Sequence, residues 1–346
     1  MGKLAVVLFN LGGPDRPEAV QPFLFNLFND PAIIGAPNPI RWALAKFISS
    51  RRAPVAREIY AHLGGKSPLL EQTQSQAQAL EQVLKTAGSD QVRVFIAMRY
   101  WHPMTAETVA EVKAFAPDRV VLLPLYPQYS RTTSGSSLKL WAEEAKRQGL
   151  TCPSQSICCW PTMDGFVSAM ASSVSEAVHR LASHGEPRVL FSAHGLPKKV
   201  IAGGDPYQWQ VEQSAAAIVE KMALPGLDWQ VCYQSRVGPL EWIGPATEAE
   251  IHRAGADGVP LVVVPLAFVS EHSETLVELD IEYGALATEA GVPAYARVST
   301  VQSSPTFIDG LAGLVRQTLS NGAALQAEQQ QRVCPGQFGN CPCKAG

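Results

Sequence analysis

Short apolar runs alternate with longer stretches of mixed polarity along this chain, and the order of the runs repeats. Residues 4–9 lead into Asn10-Leu11-Gly12-Gly13-Pro14, residues 92–97 into Met98-Arg99-Tyr100, and residues 119–125 into Tyr126-Pro127-Gln128-Tyr129-Ser130. In the second half, residues 189–191 lead into Ser192-Ala193-His194-Gly195-Leu196-Pro197. Residues 230–233 lead into Gln234-Ser235-Arg236-Val237-Gly238-Pro239, and residues 261–267 into Phe268-Val269-Ser270-Glu271-His272-Ser273. Between them lie helix-like stretches such as 71–86, 106–114 and 208–222. Val/Leu/Ile runs separated by amphipathic helices predict buried parallel strands in βαβ units. Three matching runs in the same order predict an α/β protein of two similar Rossmann-like halves, 1–155 and 156–320, with parallel sheets facing a central cleft and a tail at 321–346. The polar signatures all fall at carboxyl ends of strands, where open α/β sheets keep their ligands.

Composition narrows the function. Lys and Arg number 28 against 31 Asp and Glu, a net charge of -3, so no basic stripe for nucleic acid is expected. The start, Met1-Gly2-Lys3-Leu4, reads directly as a strand and predicts no signal peptide. No apolar run nears the roughly 18 residues of a membrane span. A cytoplasmic protein is expected. Gly12-Gly13 follows a strand but lacks both G-x-G-x-x-G and a Walker lysine, so it reads as a tight turn rather than a phosphate loop.

Chemistry concentrates after the second-half strands. Glu271, Glu274, Glu278 and Glu282 are spaced three, four and four, one face of an α-helix, and the stretch holds no Lys or Arg. A solvated outer face is the plain alternative, but the position directly after an apolar strand points the carboxylates at the cleft. Close carboxylates hold one another's pKa up and can pass protons or a divalent cation. His194, with His272 and Glu274 on the matching strand end, is a candidate base. The tail carries Cys334, Cys341 and Cys343 in a C-x6-C-x-C pattern stiffened by prolines, which reads as a metal-ligand set in need of a distant fourth thiolate. Spacing alone leaves an iron–sulfur cluster and a four-cysteine zinc site both open.

These segments resemble the ferrochelatase family. The resemblance is carried by Leu8-Phe9-Asn10-Leu11-Gly12-Gly13-Pro14, by Tyr60 through Gly64-Gly65-Lys66-Ser67-Pro68-Leu69, by Met98-Arg99-Tyr100-Trp101-His102-Pro103 and by Leu125 to Ser130 with Thr132-Thr133-Ser134-Gly135-Ser136. It continues through Ser192 to Pro197, Gln234 to Pro239 and Phe268 to Leu276, in family order over residues 4 to about 320. It implies a chelatase-like fold and insertion of Fe2+ into protoporphyrin IX, the last step of haem synthesis. It implies that His194 takes pyrrole protons or receives the metal, that Glu274 faces it across the macrocycle, and that His272, Glu271, Glu278 and Glu282 form the metal path. Phe9, Asn10, Leu11, Tyr60, Ser67, Arg99, Tyr100, Ser130, Trp242 and Phe268 are the implied porphyrin pocket. A neutral imidazole is a suitable base near physiological pH, and ring distortion draws on binding energy over apolar walls.

The resemblance further implies a peripheral place on the cytoplasmic face of a membrane and contact with a porphyrin-supplying enzyme. Residues 40–48, with Trp42, Leu44, Phe47 and Ile48 beside Arg51-Arg52, correspond to the lip of the family's active-site mouth and suit an anionic interface. An ordinary amphipathic helix packed on the core would read much the same. A subset of the family carries a [2Fe–2S] cluster on three tail cysteines and one from the N-terminal half; Cys158 is the choice for the fourth, then Cys159 and Cys152, with Zn2+ as the second reading. A coproporphyrin-using ferrochelatase, a cobalt chelatase and a non-catalytic porphyrin or haem carrier remain alternatives, the last disfavoured by the presence of both His194 and Glu274.

Overall fold

Strands buried on both faces need unbroken apolar runs, and those runs are where the parallel strands form. The computed structural model describes residues 2–86, 91–236 and 240–343, so Val237-Gly238-Pro239 of the Gln234 motif lie outside the described residues. The strands are β1 (Lys3–Asn10), β2 (Gln91–Met98), β3 (Arg119–Pro124), β4 (Ser154–Ile157), β5 (Arg188–His194), β6 (Trp229–Gln234), β7 (Leu261–Pro265), β8 (Tyr295–Arg297) and β9 (Leu325–Gln326).

The chain divides into two units. The first holds Met1–Tyr126, Ser130–Cys159 and Ala312–Gln330; the second holds Pro127–Tyr129, Trp160–Leu311 and Gln331–Gly346. In the first unit the sheet order is β2-β1-β3-β4-β9, every pair parallel. Val7, Phe9, Phe95 and Leu122 pack under Val109 and Val112 of the helix Thr105–Phe115 and Trp141 of the helix Ser134–Gln148. Gly13 is required by close approach: a Cβ there would lie 2.5 Å from the Ser67 side chain. Gly12 turns the chain with φ +85°, as the tight-turn reading expects.

In the second unit the order is β6-β5-β7-β8, again all parallel. Leu190, Cys232 and Val263 pack against Ile251 and Ala254 of the helix Thr247–Asp257 and against Leu279, Tyr283 and Ala287. Two α/β units with parallel sheets are what the repeated runs predict.

Two stretches differ from their sequence reading. No strand is predicted in the tail at 321–346, yet Leu325–Gln326 adds an edge strand to the first sheet, parallel to β4. Glu274–Glu282 winds as a π-helix rather than an α-helix. Glu271 precedes this helix and is paired with Arg297, and Glu282 is exposed at its end. The four-carboxylate face expected of an α-helix therefore does not form.

Candidate active site

His194 is the last residue of β5, at the carboxyl end of the second unit's sheet. Its Nδ1 lies 2.8 Å from Glu274 Oε2. The two stand side by side in a direct hydrogen bond, which corrects the expectation that Glu274 faces His194 across a bound ring. The Tyr207 hydroxyl donates to the His194 carbonyl at 3.0 Å and fixes the strand end. Burial alone would push the imidazole pKa down, but the charge of Glu274, its hydrogen bond and the charge of Glu278 together hold it above the ordinary histidine value. For Glu274 burial pushes up, and His194 followed by His272 outweighs it, bringing the carboxyl down to about 2. Each partner thus favours the charged form of the other.

His272 is buried among these groups, its Nε2 4.0 Å from Glu274 Oε2 and its ring centroid 4.5 Å from that of Phe268. Burial lowers its pKa, so it stands as neutral imidazole. Its Nδ1 is buried without a hydrogen-bond partner among the described residues, which leaves that nitrogen for a proton or a metal ion.

Glu278 is held by three neighbours that sequence reading did not assign to it. Ser235, with φ +59°, directs both its N–H (2.9 Å) and its hydroxyl (2.6 Å) onto the carboxylate. Gln234 Nε2 donates to Glu278 Oε2 at 3.1 Å and to the Glu274 carbonyl at 3.0 Å. Tyr283 reaches Glu278 at 3.2 Å and Glu248 at 3.0 Å. Burial, then the charge of Glu274, raises the Glu278 pKa, so this carboxyl takes up a proton more readily than an ordinary one.

Glu271 and Glu282 stand apart from this group. Glu271 is buried and accepts from Arg297 Nη1 at 2.6 Å and from the Thr300 N–H at 2.9 Å. Burial pushes its pKa up, but Arg297 leads the effects that bring it below the usual range. Arg297 also pairs with Asp280 at 2.6 Å. The basic partner missing from the local sequence thus arrives from β8. Glu282 is exposed at the end of the π-helix. Trp242, of which Nε1 is buried without a partner among the described residues, forms an antiparallel bridge with Pro197.

In the first unit the expected porphyrin residues also follow strand ends. Asn10 donates to Thr73 at 3.1 Å and accepts the Leu11 N–H at 2.8 Å. Arg99 and Tyr100 extend β2 by donating their N–H groups to the Asn10 and Leu11 carbonyls. Tyr60 is buried, with Leu11 packed beside the same cluster. Ser67 sits on the Pro14 carbonyl, and Ser130 is buried beside Thr132. Phe9, 1 % exposed and edge-on to Trp141 at 5.7 Å, lies in the core beneath the sheet, so its backbone rather than its ring leads to the strand end.

The tail cysteines Cys334, Cys341 and Cys343 are all buried within the second unit. Arg332 closes their loop by donating to the carbonyls of Cys334, Pro335 and Phe338 at 2.8–2.9 Å. Gln210 Nε2 donates to the Cys334 sulfur at 3.0 Å. The Cys334 hydrogen bond draws the Cys341 thiol down to about 6 against burial, aided by the Cys343 N–H and Arg332. Sulfurs that receive N–H donors and a nearby cation fit thiolate ligands. Cys158 is buried in the first unit with its sulfur 3.5 Å from that of Cys159. Among the described residues, no three His, Cys, Asp or Glu side chains already surround one point as a metal cage.

The fold of parallel α/β sheets is chelatase-like. Solved structures of that class share the fold: SirB from Bacillus subtilis, with Fe3+, superimposes with a TM-score of 0.54 at 13 % identity over 93 % of this chain and 97 % of that one. DR2241 from Deinococcus radiodurans, described as similar to chelatases, gives 0.52 at 12 % identity over 91 % of this chain and 55 % of its own length. The family model described as Ferrochelatase matches residues 3–319. A ferrochelatase of Caulobacter vibrioides is 53 % identical over 345 residues, covering 99 % of this chain and 98 % of the relative. One of Pelagibacter ubique is 47 % identical over 342 residues, covering 99 % and 98 %. The chain belongs to the ferrochelatase family, enzymes that insert ferrous iron into a porphyrin, and is a metal-chelating lyase.

Proposed function

We propose that this enzyme inserts Fe2+ into protoporphyrin IX to give protohaem, the last step of haem synthesis, with His194 taking pyrrole protons. The observation that carries this is the 2.8 Å pair of His194 with Glu274. A porphyrin must lose two N–H protons as iron enters. His194, once it has given up its own proton, is the nearest base to the strand end, and Glu274 stabilises the imidazolium it becomes. Glu278, with its raised pKa, stands next in line for a proton, while the unpartnered Nδ1 of His272 suits iron that has shed its water. Tyr60, Ser67, Arg99, Tyr100, Trp242 and Phe268 are the porphyrin-wall residues of this reading. Anaerobic insertion with protoporphyrin IX and coproporphyrin in competition tests the substrate. Preference for coproporphyrin would replace the substrate, and tight binding without insertion would make the protein a carrier.

We also infer a peripheral membrane position on the cytoplasmic face. The helix Ile40–Ala61 buries Tyr60 near its end and, before that, the small residues Ala45, Ser49 and Ala53, while Ile40 (56 %), Trp42 (51 %) and Phe47 (62 %) are exposed beside Lys46, Arg51 and Arg52. A helix packed on its own core would reverse that order; a helix lying in an anionic interface keeps it. Among the described residues no helix is long and apolar enough to cross a membrane. Contact with a porphyrin-supplying enzyme belongs to the same reading.

Cys334, Cys341, Cys343 and Cys158 are the proposed thiolates of a [2Fe–2S] cluster, which would supply one-electron chemistry. Iron, sulfide and zinc analysis of the purified protein separates it from a zinc site.

A further inference from the structure

Asp30 belongs to none of the motifs above, yet its carboxylate accepts four hydrogen bonds. Its side chain is 2 % exposed. Oδ2 accepts from three donors: Arg99 Nη2 at 2.7 Å, the Tyr100 hydroxyl at 2.8 Å and the Ser136 hydroxyl at 2.7 Å. Ser136 in turn accepts from Arg99 Nε at 2.8 Å, which closes a triangle around one edge of the guanidinium. The guanidinium carbon lies 4.9 Å from the centroid of the Tyr100 ring. An arginine held by two of its nitrogens through a charged and a neutral acceptor keeps one orientation, where a free side chain would sample many.

The same residue builds the turn that follows the helix Val20–Phe28. Oδ1 accepts the Ala32 N–H at 2.8 Å, and the Asp30 carbonyl accepts the N–H groups of Ile33 and Ile34 at 3.0 and 2.9 Å. That turn leads into the exposed Ile33 and then the apolar helix Ile40–Ala61. Arg41 bonds back to the Asn29 carbonyl at 2.9 Å. One buried carboxylate therefore ties the base of the exposed apolar segment to Arg99 and Tyr100.

We propose that Asp30 is a positioning residue of the porphyrin site: it aims Arg99 and locks that arginine to the turn carrying the apolar segment. This rests on the reading of Arg99 as a porphyrin-wall residue. Asp30→Asn keeps the shape but removes the anion, leaving the guanidinium partly buried without its counter-charge. The full chain is assayed for iron insertion with porphyrin and Fe2+ varied separately, alongside thermal unfolding. The expected result for Asp30→Asn is a porphyrin KM raised about tenfold, as for loss of one buried charged hydrogen bond, with the Fe2+ KM unchanged and kcat at saturating porphyrin within about twofold.

Ser136→Ala, which keeps the ion pair and removes the bridging hydroxyl, moves the porphyrin KM in the same direction by less, and serves if Asp30→Asn does not fold. In the double variant Asp30→Asn/Arg99→Leu the rise in porphyrin KM falls well short of the product of the two single effects, because Asp30 acts chiefly through Arg99, with Tyr100 as its lesser route. An unchanged porphyrin KM in both Asp30→Asn and Ser136→Ala, with Arg99→Leu raising it, overturns the proposal; so do fully additive effects in the double variant. An unchanged porphyrin KM in Arg99→Leu alone overturns the assignment of Arg99 itself, and the role of Asp30 with it.

Discussion

His194 begins its proton transfer already bonded to a carboxylate, and that fixes the direction of its pH dependence. With its pKa held above the ordinary value of about 6.5, it is charged and unable to accept a proton until the pH passes the raised value. Activity should therefore climb along an acid limb lying above that of a free histidine. Glu274→Gln removes the charge that holds the imidazolium, burial then dominates, and the limb moves to lower pH, even as kcat falls. A limb that stays in place would separate the pH dependence from this pair. Glu271 teaches a different lesson. Its sequence neighbourhood predicts a path carboxylate, but Arg297, 26 residues away, takes it into a buried ion pair. Arg297→Gln leaves Glu271 and Asp280 without their cation and should cost about 3 kcal/mol, read by chemical denaturation; a loss below ~1 kcal/mol would mean that the pair is not structural. Asp30, Tyr207 and Tyr283 were illegible for the same reason, since each acts through partners remote in sequence and none carries a local pattern.

Elements with strong periodicity were legible, and those shaped by long-range contacts were not. β1, β3, β5 and β7 show as Val/Leu runs because both faces are covered, whereas β4 and β8, Ser-Gln-Ser-Ile and Tyr-Ala-Arg, carry no such run and were not foreseen. The π-helix Glu274–Glu282 does not show, since its residues carry an α-helical spacing, while the partners of its side chains come from distant segments: His194 for Glu274, Ser235 and Gln234 for Glu278. β9 is two residues in a polar stretch, too short for any alternation to register. The helix Ile40–Ala61 was ambiguous from pattern alone; the exposure of Trp42 and Phe47 favours the interfacial reading. Replacing both Trp42 and Phe47 with Ser should abolish flotation with vesicles containing anionic lipid while leaving the thermal midpoint within about 2 °C, because neither side chain is buried. Full flotation of that variant would return the helix to an ordinary surface role.

At the scale of the whole molecule, the repeat of three strand signatures foretold two parallel α/β units, and the strand ends foretold where polar chemistry gathers. What repetition could not show is that residues 312–330 return to the first unit before the cysteine loop rejoins the second. The tail is thus woven into the fold, and its cysteines are buried with donors already in place. Cys341→Ser should lose visible absorbance and thermal stability together; retention of both would leave the tail without a metal role. The most direct test of the account is anaerobic Fe2+ insertion into protoporphyrin IX by wild type and His194→Ala, followed by the change from free-base to haem absorbance, with porphyrin binding measured in parallel. Turnover in wild type, and a loss of about a hundredfold or more in the variant with binding retained, is the result predicted for a lost general base. Undiminished insertion by His194→Ala would contradict it and reduce His194 to a pocket residue.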